Sequence, residues 1–313
     1  MRTGKKYLNV FLIFVLFLFL SCSANLKNYS PNGKSAPLIT FIFDDGNETD
    51  YTVAKDIFKE RGEVACSAVV TDWINTENYL TVSQLLELQN DGWEILSHTK
   101  SHPNLRKLSE NQIETELFQS KSVLEGLGLK VKSLVYPFNK YNEAVIKIAG
   151  KYYKAGRGGR IILKSSLPDQ YKLKSFSCGH AFSKIKDLID RAFSEKQWLI
   201  LYHHRIDARI KLSKKSGVYV SGENLIFTPS GAAGKYIEDN GSKLLFVPIS
   251  GTPRVNDAVT GQSSGATARV SDLGYNDRET IVQIIEYIHK NYPDMHFVTI
   301  DGGVDRIGRN ILL

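Results

Sequence analysis

From Pro37 onward the chain repeats one pattern, in which a short apolar run is followed by a segment with helical periodicity. The first pair consists of residues 38–43 and 49–61, and a strongly apolar run at 197–202 comes late in the series. Alternation of strands with helices predicts a parallel sheet covered by helices. About seven such units favour closure of the sheet, so the sequence predicts an α/β fold with a distorted (β/α)7-type barrel.

The boundaries of the segments follow from changes in periodicity and from capping residues. Thr81-x-x-Gln84 and Ser109-x-x-Gln112 are capping-box patterns, which predict where two of the helices begin. The predicted strands are residues 38–43, 63–70, 93–96, 132–136, 152–155, 197–202 and 296–299. The predicted helices are residues 49–61, 81–90, 109–127, 141–151, 183–195 and 277–290.

One stretch departs from this alternation, because it is rich in Gly, Ser and Thr and has no helical pattern. Short alternating apolar runs are separated there by Ser-Gly and Asn-Gly turn signals. The sequence therefore predicts a small β-rich insertion at 213–274, before the last helix, which divides the barrel into 37–212 and 275–313. Residues 261–270 look like a β-rich repeat of phage structural proteins. The insertion has two candidate roles: contact with a protein or glycan, or added stability.

The N-terminus carries a targeting signal. A basic start precedes an uninterrupted apolar run of eleven residues from Val10 to Leu20, which is short for a membrane span of about 20 residues and fits a signal peptide. The following Ser21-Cys22 resembles a bacterial lipobox. Residues 1–22 are therefore expected to be a lipoprotein-type signal peptide, and ordinary signal cleavage is the alternative. Residues 23–36 would form a flexible tether. The protein is expected to be exported, as a membrane-anchored lipoprotein of the bacterial cell envelope or periplasm or, otherwise, as a secreted protein.

The composition limits the classes of function that remain. The formal charge is +7 at pH 7, but the basic residues are scattered, so no nucleic-acid partner is expected. Of the three cysteines, Cys66 and Cys178 lie in apolar surroundings. We interpret them as buried free thiols, with a disulfide between them as the alternative. No cysteine spacing indicates a metal site.

Acidic and histidine residues directly follow several of the predicted strands, where a barrel places its functional residues. The candidates are Asp44 and Asp45 after the first strand, His98 and His102 after the third, and His203 and His204 after the sixth. Asp45 and two histidines four positions apart offer three ligands for a zinc-like metal and leave positions open for water and substrate. Each pattern alone also fits a structural role: a surface turn, a pair of surface histidines, or a doublet with one histidine packed.

Four motifs occur in an order that is typical of one enzyme family. They are Phe41-Ile42-Phe43-Asp44-Asp45-Gly46, His98-x-x-x-His102, Tyr136-Pro137-Phe138 and the apolar strand from Trp198 to His204. In this order they resemble the NodB-type polysaccharide deacetylases of carbohydrate esterase family 4. The resemblance runs from Pro37 to Ile206 and resumes from Asp277 to Gly308, and the first two motifs are the most specific.

The resemblance implies a metal centre and a general base. Asp45, His98 and His102 would bind a divalent metal, with Zn2+ expected and Co2+ or Ni2+ able to fit the same ligands. Asp44 would be the general base that takes a proton from the attacking water. The metal would also polarise the amide carbonyl of the substrate.

The resemblance also implies a general acid and an oxyanion donor. His204 would protonate the leaving amine and is preferred to His203, and the backbone N–H of Phe138 would help to stabilise the oxyanion. The arginine that the family often carries in its third motif is missing. Arg157 would orient the base in its place, or else serves a structural role. Asp190 is a candidate partner of the general acid.

Together the motifs predict a metal-dependent hydrolase that removes N-acetyl or O-acetyl groups from a cell-envelope or extracellular polysaccharide. Removal of an N-acetyl group would break a non-peptide carbon–nitrogen bond. The rival hypothesis is a non-catalytic envelope lipoprotein on the same fold, which binds a glycan or a partner. The intact set of candidate residues favours the enzyme. The expected partners are the polysaccharide, the membrane through the lipid on Cys22 alone, and a protein or glycan at the insertion.

Overall fold

The computed structural model describes residues 36–160, 169–179 and 182–309. The predicted signal peptide with Cys22, and the tether up to residue 35, lie outside the described residues. Among the described residues, no helix combines the length and the hydropathy needed to cross a bilayer.

The described residues form two groups of strands, with helices around the first group. The strands are β1 (Leu38–Phe43), β2 (Cys66–Val69), β3 (Glu94–Ser97), β4 (Ser133–Val135), β5 (Ala155–Arg160), β6 (Leu173–Ser177), β7 (Trp198–His203), β8 (Ala208–Ser216), β9 (Asn224–Thr228), β10 (Ala233–Asp239), β11 (Lys243–Ser250), β12 (Ala258–Gly261), β13 (Thr267–Asn276) and β14 (His296–Phe297). The helices are α1 (Lys55–Lys59), α2 (Val82–Asn90), α3 (Glu110–Gly126), α4 (Glu143–Ala149), α5 (Phe182–Ser194), α6 (Asp277–Asn291) and α7 (Ile300–Arg309). A π-helical turn (Asp50–Ala54) leads into α1.

Strands β1 to β7 are parallel and close into a barrel. Closure comes from β1 and β7, which pair from Leu38 with Trp198 to Phe43 with His203. The short β14 adds a further parallel pairing at the start of β1, where Leu38 faces His296. The predicted (β/α)7-type barrel with a β-rich region before the helix α6 is therefore confirmed.

Local signals predicted several elements well. The capping boxes at Thr81 and Ser109 are both formed. Each hydroxyl accepts from the backbone N–H of the glutamine three residues later, and the backbone N–H of the same capping residue donates to the side-chain oxygen of that glutamine. Strand β1 has the predicted bounds. The π-helical start of the first helix was not predicted, because its hydrophobic pattern differs little from that of an α-helix over a few residues.

The glycine-rich strand β5 was misplaced at 152–155, and β6 was missed entirely. Strand β5 has the sequence AGRGGR, which lacks the apolar alternation that predicts a strand. Its glycines have a packing reason: a Cβ on Gly156 would lie 2.3 Å from the hydroxyl of Tyr136, and a Cβ on Gly158 would lie 2.9 Å from the same ring. The strand that ends in His203 is consequently the seventh of the barrel and not the sixth.

The strands β8 to β13 form a second, antiparallel barrel in the order β10-β11-β8-β13-β12-β9. They run from Ala208 to Asn276, so they begin before the predicted start of the insertion at 213 and end after its predicted end at 274. The barrel has its own core, which includes Phe227 and Phe246 at a ring-centroid distance of 5.2 Å.

Two apolar layers stabilise the first barrel. One lies between the sheet and the surrounding helices and includes Phe41, Phe43 and Trp93. The other fills the barrel interior, where Ile300 of α7 joins it; α7 was not predicted. Cys66 and Cys178 are both buried and free, which confirms the interpretation as thiols and excludes the disulfide.

One carboxyl of the first barrel is buried without a charged partner. Asp50, in the π-helical turn, is fully buried and accepts a hydrogen bond from the hydroxyl of Ser67 at 2.6 Å. Its second oxygen has no partner among the described residues. Burial, and then the charges of Asp45 and Asp44, raise the pKa of Asp50 well above its usual range. The folded protein therefore keeps a proton that the unfolded chain releases near pH 4.

This retained proton makes stability depend on pH. The stabilisation from the retained proton is complete below the ordinary aspartate pKa. As pH rises from there towards the raised pKa of Asp50 in the folded protein, the free energy of unfolding falls by about 1.4 kcal/mol per pH unit. We expect Asp50→Asn to remove this slope, so the stability of the variant relative to wild type should grow as pH rises above about 4. Urea unfolding at several pH values measures it, with the exposed Asp56→Asn as control. A stability difference that does not change with pH would contradict the expectation.

Candidate metal centre

The three predicted metal ligands meet at the C-terminal end of the first barrel. The Oδ1 atom of Asp45 lies 3.5 Å from Nε2 of His98 and 3.6 Å from Nε2 of His102. One ligand atom from each residue can be chosen so that all three lie within 4.8 Å of one another. The arrangement has the donor set of a zinc-like site with positions left for other ligands.

The turn after β1 positions both aspartates. The backbone N–H of Asp44 donates to the carbonyl of His203 at 2.7 Å, which extends the pairing of β1 with β7 by one residue. Asp45 then adopts a φ of 80° and Gly46 a φ of 71°. This left-handed turn sends the two neighbouring carboxylates in different directions, so that Asp45 faces the histidines. Strain at a non-glycine residue is common at functional sites.

The tautomer of His98 follows from its hydrogen bond. Its Nδ1 lies 2.8 Å from the carbonyl oxygen of Val135, at the end of β4. A carbonyl accepts only, so Nδ1 must carry the proton and Nε2 keeps the lone pair that a metal needs. His98 is 2% exposed, and its orientation is therefore set by the barrel wall.

The loop that carries His102 is held by a helix residue that the sequence did not single out. Glu116 of α3 accepts from the backbone N–H groups of Lys100 and Ser101 at 3.0 and 2.9 Å and from the Ser101 hydroxyl at 2.7 Å. The N–H of His102 donates to the hydroxyl of Thr99 at 3.0 Å. A glutamate on an amphipathic helix has the pattern of an ordinary surface residue, so no sequence signal marks Glu116.

The ionisation of the cluster suits a cation. Burial raises the pKa of Asp45, but the hydrogen bond and the charge of His98 lower it by more than burial raises it. The pKa of Asp45 therefore lies below its usual range. Burial and the charge of His98 lower the pKa of His102. A carboxylate and neutral imidazoles are the forms that bind metals. The residues present therefore fit a divalent ion.

Arg157 of β5 reaches the neighbouring carboxylate of Asp44. One terminal nitrogen of its guanidinium donates to Oδ1 of Asp44, and the other donates to the side-chain oxygen of Asn139 at 2.7 Å. The guanidinium also lies 4.9 Å from the ring centroid of Tyr202. Asn139 has a φ of 56°, at a position where glycine is usual in the resembling family. Sequence reasoning missed the contacts of Arg157 with Asn139 and Tyr202, because these residues and Asp44 lie in four separate strands and loops.

The two histidines of the doublet differ in burial, since His203 is buried and His204 is exposed. His203 packs against Phe43, with ring centroids 6.5 Å apart, and its Nε2 lies 3.3 Å from Oδ1 of Asp277. Burial lowers the pKa of His203, but the carboxylate of Asp277 raises it more, so the net pKa is above its usual range. His204 is exposed, and its charge acts on the pKa of Asp45. His204 and Asp45 thus interact electrostatically, and the role of His204 as the general acid stays a prediction.

Asp190, considered as a partner of His204, lies elsewhere. Its carboxylate accepts from the hydroxyls of Tyr287 and Tyr292 at 2.6 and 2.8 Å and from Lys186 at 2.7 Å. These contacts join α5 to α6, so the suggested role is wrong. The spacing from the apolar strand was uninformative, because a helix residue eight positions before a strand can face any direction.

Phe138 lies at the edge of the centre with a left-handed backbone. Its φ is 58° and its ring centroid is 4.7 Å from that of His102. The neighbouring N–H groups are used within the turn: Asn139 donates to Tyr136 at 3.0 Å and Lys140 donates to Pro137 at 3.1 Å.

Comparison with known proteins supports the motif-based resemblance. Residues 32–154, less than half of the chain, match the family described as polysaccharide deacetylase. The curated "Putative polysaccharide deacetylase YxkH" of Bacillus subtilis is 30% identical over 118 residues, which are 37% of this chain and 42% of that protein.

Solved structures of deacetylases also match in part. The Streptococcus pyogenes deacetylase PplD in complex with acetate is 30% identical, with 39% of this chain and 55% of that chain covered and a TM-score of 0.38. A polysaccharide deacetylase from Bacillus cereus is 26% identical, with 44% and 45% covered and a TM-score of 0.40. The chain thus spans less than half of the curated relative and about half of these two structures. The match over residues 32–154 confirms that this chain resembles the NodB-type polysaccharide deacetylases of carbohydrate esterase family 4.

Proposed function

We propose that the protein is a metal-dependent polysaccharide deacetylase, which hydrolyses N-acetyl groups of a cell-envelope or extracellular glycan to acetate and a free amine. Removal of O-acetyl groups is the same chemistry on an ester. One observation supports the proposal: three side chains that could hold a metal ion converge, and the neighbouring carboxylate of Asp44 is held by the buried guanidinium of Arg157.

In this proposal Asp45, His98 and His102 hold the cation, with Zn2+ as the expected ion and Co2+ or Ni2+ as alternatives. When bound, such a cation supplies a Lewis acid that polarises a carbonyl and lowers the pKa of water to about 7. The lowered pKa values of Asp45 and His102 leave both side chains ready to bind a cation, since Asp45 is ionised and His102 is neutral down to lower pH than usual.

The remaining roles fall to groups of the protein around this cluster. Asp44 removes the proton of the attacking water, and Arg157, which Asn139 holds in turn, fixes the direction of that carboxylate. The N–H of Phe138 donates to the oxygen that becomes negative as the carbonyl is attacked. His204 gives a proton to the leaving amine as the carbon–nitrogen bond breaks.

The location and the second barrel complete the proposal. Export and lipidation at Cys22 are supported by the N-terminal sequence pattern, and they would place the enzyme where envelope polysaccharides occur. The domain limits of 37–212, 213–274 and 275–313 remain predictions, and so does a docking role for the insertion.

Acetate release tests the proposed function. Full-length protein in mild detergent is incubated with N-acetylglucosamine oligomers and with peptidoglycan, then stripped with a chelator and resupplied with zinc. We expect acetate release that the chelator stops and zinc restores, because the three-ligand cluster cannot polarise a carbonyl without its cation. No acetate from any polymer or acetylated ester, with zinc confirmed in the protein, would favour the non-catalytic binding protein.

A further inference from the structure

A cavity of about 690 Å³ lies between the two barrels. One side is formed by Cys178 and His203, at the ends of β6 and β7, and the others by β8, β11, β13 and the first two turns of α6. Sites for small molecules typically have volumes of about 300–1,000 Å³ and occur preferentially where domains meet. The lining residues of this inter-barrel cavity lie between positions 178 and 283, outside the segment 32–154 that matches the deacetylase family. The cavity is therefore a feature that the family match does not explain.

One polar atom in the wall of the cavity is buried without a hydrogen bond. His203 is 8% exposed, and its Nδ1 lies 3.1 Å from the carbonyl oxygen of His204, so Nδ1 carries a proton. Nε2 lies 3.3 Å from Oδ1 of Asp277, but it makes no aligned hydrogen bond with that carboxylate or with any other described residue. Because buried polar groups nearly always have a partner, Nε2 is the atom to which a molecule in the cavity would bond.

Apolar side chains are left uncovered at the same place. Leu273 and Tyr275 of β13 both line the cavity, yet they are 45% and 44% exposed. The buried Phe246 and Pro253 add further apolar wall. Large apolar side chains that stay exposed beside a concave site are typical of surfaces that a ligand covers. The cavity thus offers an apolar wall next to a polar anchor.

The charges around the cavity favour an uncharged head group. Burial lowers the pKa of His203, and the carboxylate of Asp277 raises it by more, so the two side chains form a pair without net charge. A buried anion beside them would be repelled by Asp277 and Glu279, and a buried cation would be repelled by His203 and Arg209. A hydroxyl or a carboxamide both accepts and donates, so it can bond to Nε2 of the imidazole and to the carboxylate at once.

We propose that the inter-barrel cavity binds a small uncharged molecule that has an apolar body and a hydroxyl or carboxamide head. The head bonds to His203 and Asp277, and the body packs against Leu273 and Tyr275. None of the three candidate metal ligands lines this cavity. The inference therefore does not depend on the proposed deacetylation.

The test compares three probes that share a chain and differ in charge: octanamide is neutral, octanoate is an anion and octylamine is a cation. Full-length protein is placed in lipid nanodiscs without detergent, whose chains would compete, and is dialysed to equilibrium against each radiolabelled probe, with empty nanodiscs as the blank. We expect octanamide to bind about tenfold more tightly than either charged probe, which corresponds to about 1.4 kcal/mol. Thr280→Trp and Gln283→Trp each add an indole to a lining position of α6, so each should abolish octanamide binding.

The control is Lys290→Trp, which adds the same ring to an exposed position of α6 that does not line the cavity. It should bind octanamide as the parent protein does. Asp277→Asn removes the negative charge next to His203, so it should raise the affinity for octanoate relative to octanamide. A parent protein that binds no octanamide would overturn the site, and so would lining variants that bind it like the control. Octanoate or octylamine that binds the parent as tightly as octanamide would overturn the proposed class of ligand.

Discussion

Replacing Asp44 by asparagine is expected to lower kcat for acetate release by about 10²–10⁴-fold, the range in which general acid–base groups contribute. Asparagine has nearly the same shape and still offers an oxygen to the guanidinium of Arg157, but it cannot take up the proton of water. Asp44 is not among the three clustered ligands, so zinc should remain in the variant. Steady-state rates with an N-acetylglucosamine oligomer and metal analysis of the same protein sample measure both quantities.

Two variants make this result interpretable. His98→Ala should lose turnover and zinc together, because His98 supplies one of three ligand atoms and its ring is fixed by the carbonyl of Val135. Asp56→Asn changes an exposed aspartate on α1 and should leave both unchanged. If Asp44→Asn kept a rate close to that of wild type, another group would have to be the base.

Removal of the guanidinium of Arg157 should have the largest effect on stability. The side chains of Arg157 and Asp44 are 1% and 5% exposed, so Arg157→Met leaves a buried carboxylate without its partner. Loss of one member of a buried ion pair typically costs about 3–5 kcal/mol. We expect a decrease of that size in the free energy of unfolding of the metal-free protein, measured by urea denaturation.

A double variant separates the lost charge from lost packing. Asp44→Asn in the Arg157→Met background removes the unpaired charge and should recover much of the stability, since methionine fills part of the same space. The control Arg191→Met breaks an ion pair with Glu195 in which the arginine is 56% exposed, and it should cost less than about 1 kcal/mol. An Arg157→Met protein as stable as the control would mean that the pair contributes little.

Local signals in the sequence predicted the parts of the fold that depend on neighbouring residues. The capping boxes at Thr81 and Ser109 formed because each needs only a hydroxyl and an amide three positions apart. Strand β1 was found because six consecutive residues are buried, which gives a run that is apolar except for Thr40. Strand β5 was misplaced because it lacks such a run, since its glycines are required by the ring of Tyr136, which follows β4.

The candidate ligands could be named from the sequence because they follow strand ends and sit in specific motifs. Asp45 and the His98–His102 pair needed only the rule that parallel strands end at one rim of a barrel. Their convergence on a common point depends on the left-handed turn at Asp45 and on Glu116, which holds the histidine loop from a distant helix. The roles of these residues in catalysis remain predictions.

The sequence by itself determined the alternation of strands and helices, the family resemblance and the identity of the candidate ligands, because these are properties of residue type and short spacing. Only the tertiary structure decided which histidine of the doublet is buried and what holds Asp44. His203 pairs with Phe43 at the end of β1, and its ring packs against Phe43 near the carboxylate of Asp277. Arg157 meets Asp44 across 113 positions of sequence, and such a contact follows from closure of the barrel and leaves no local pattern.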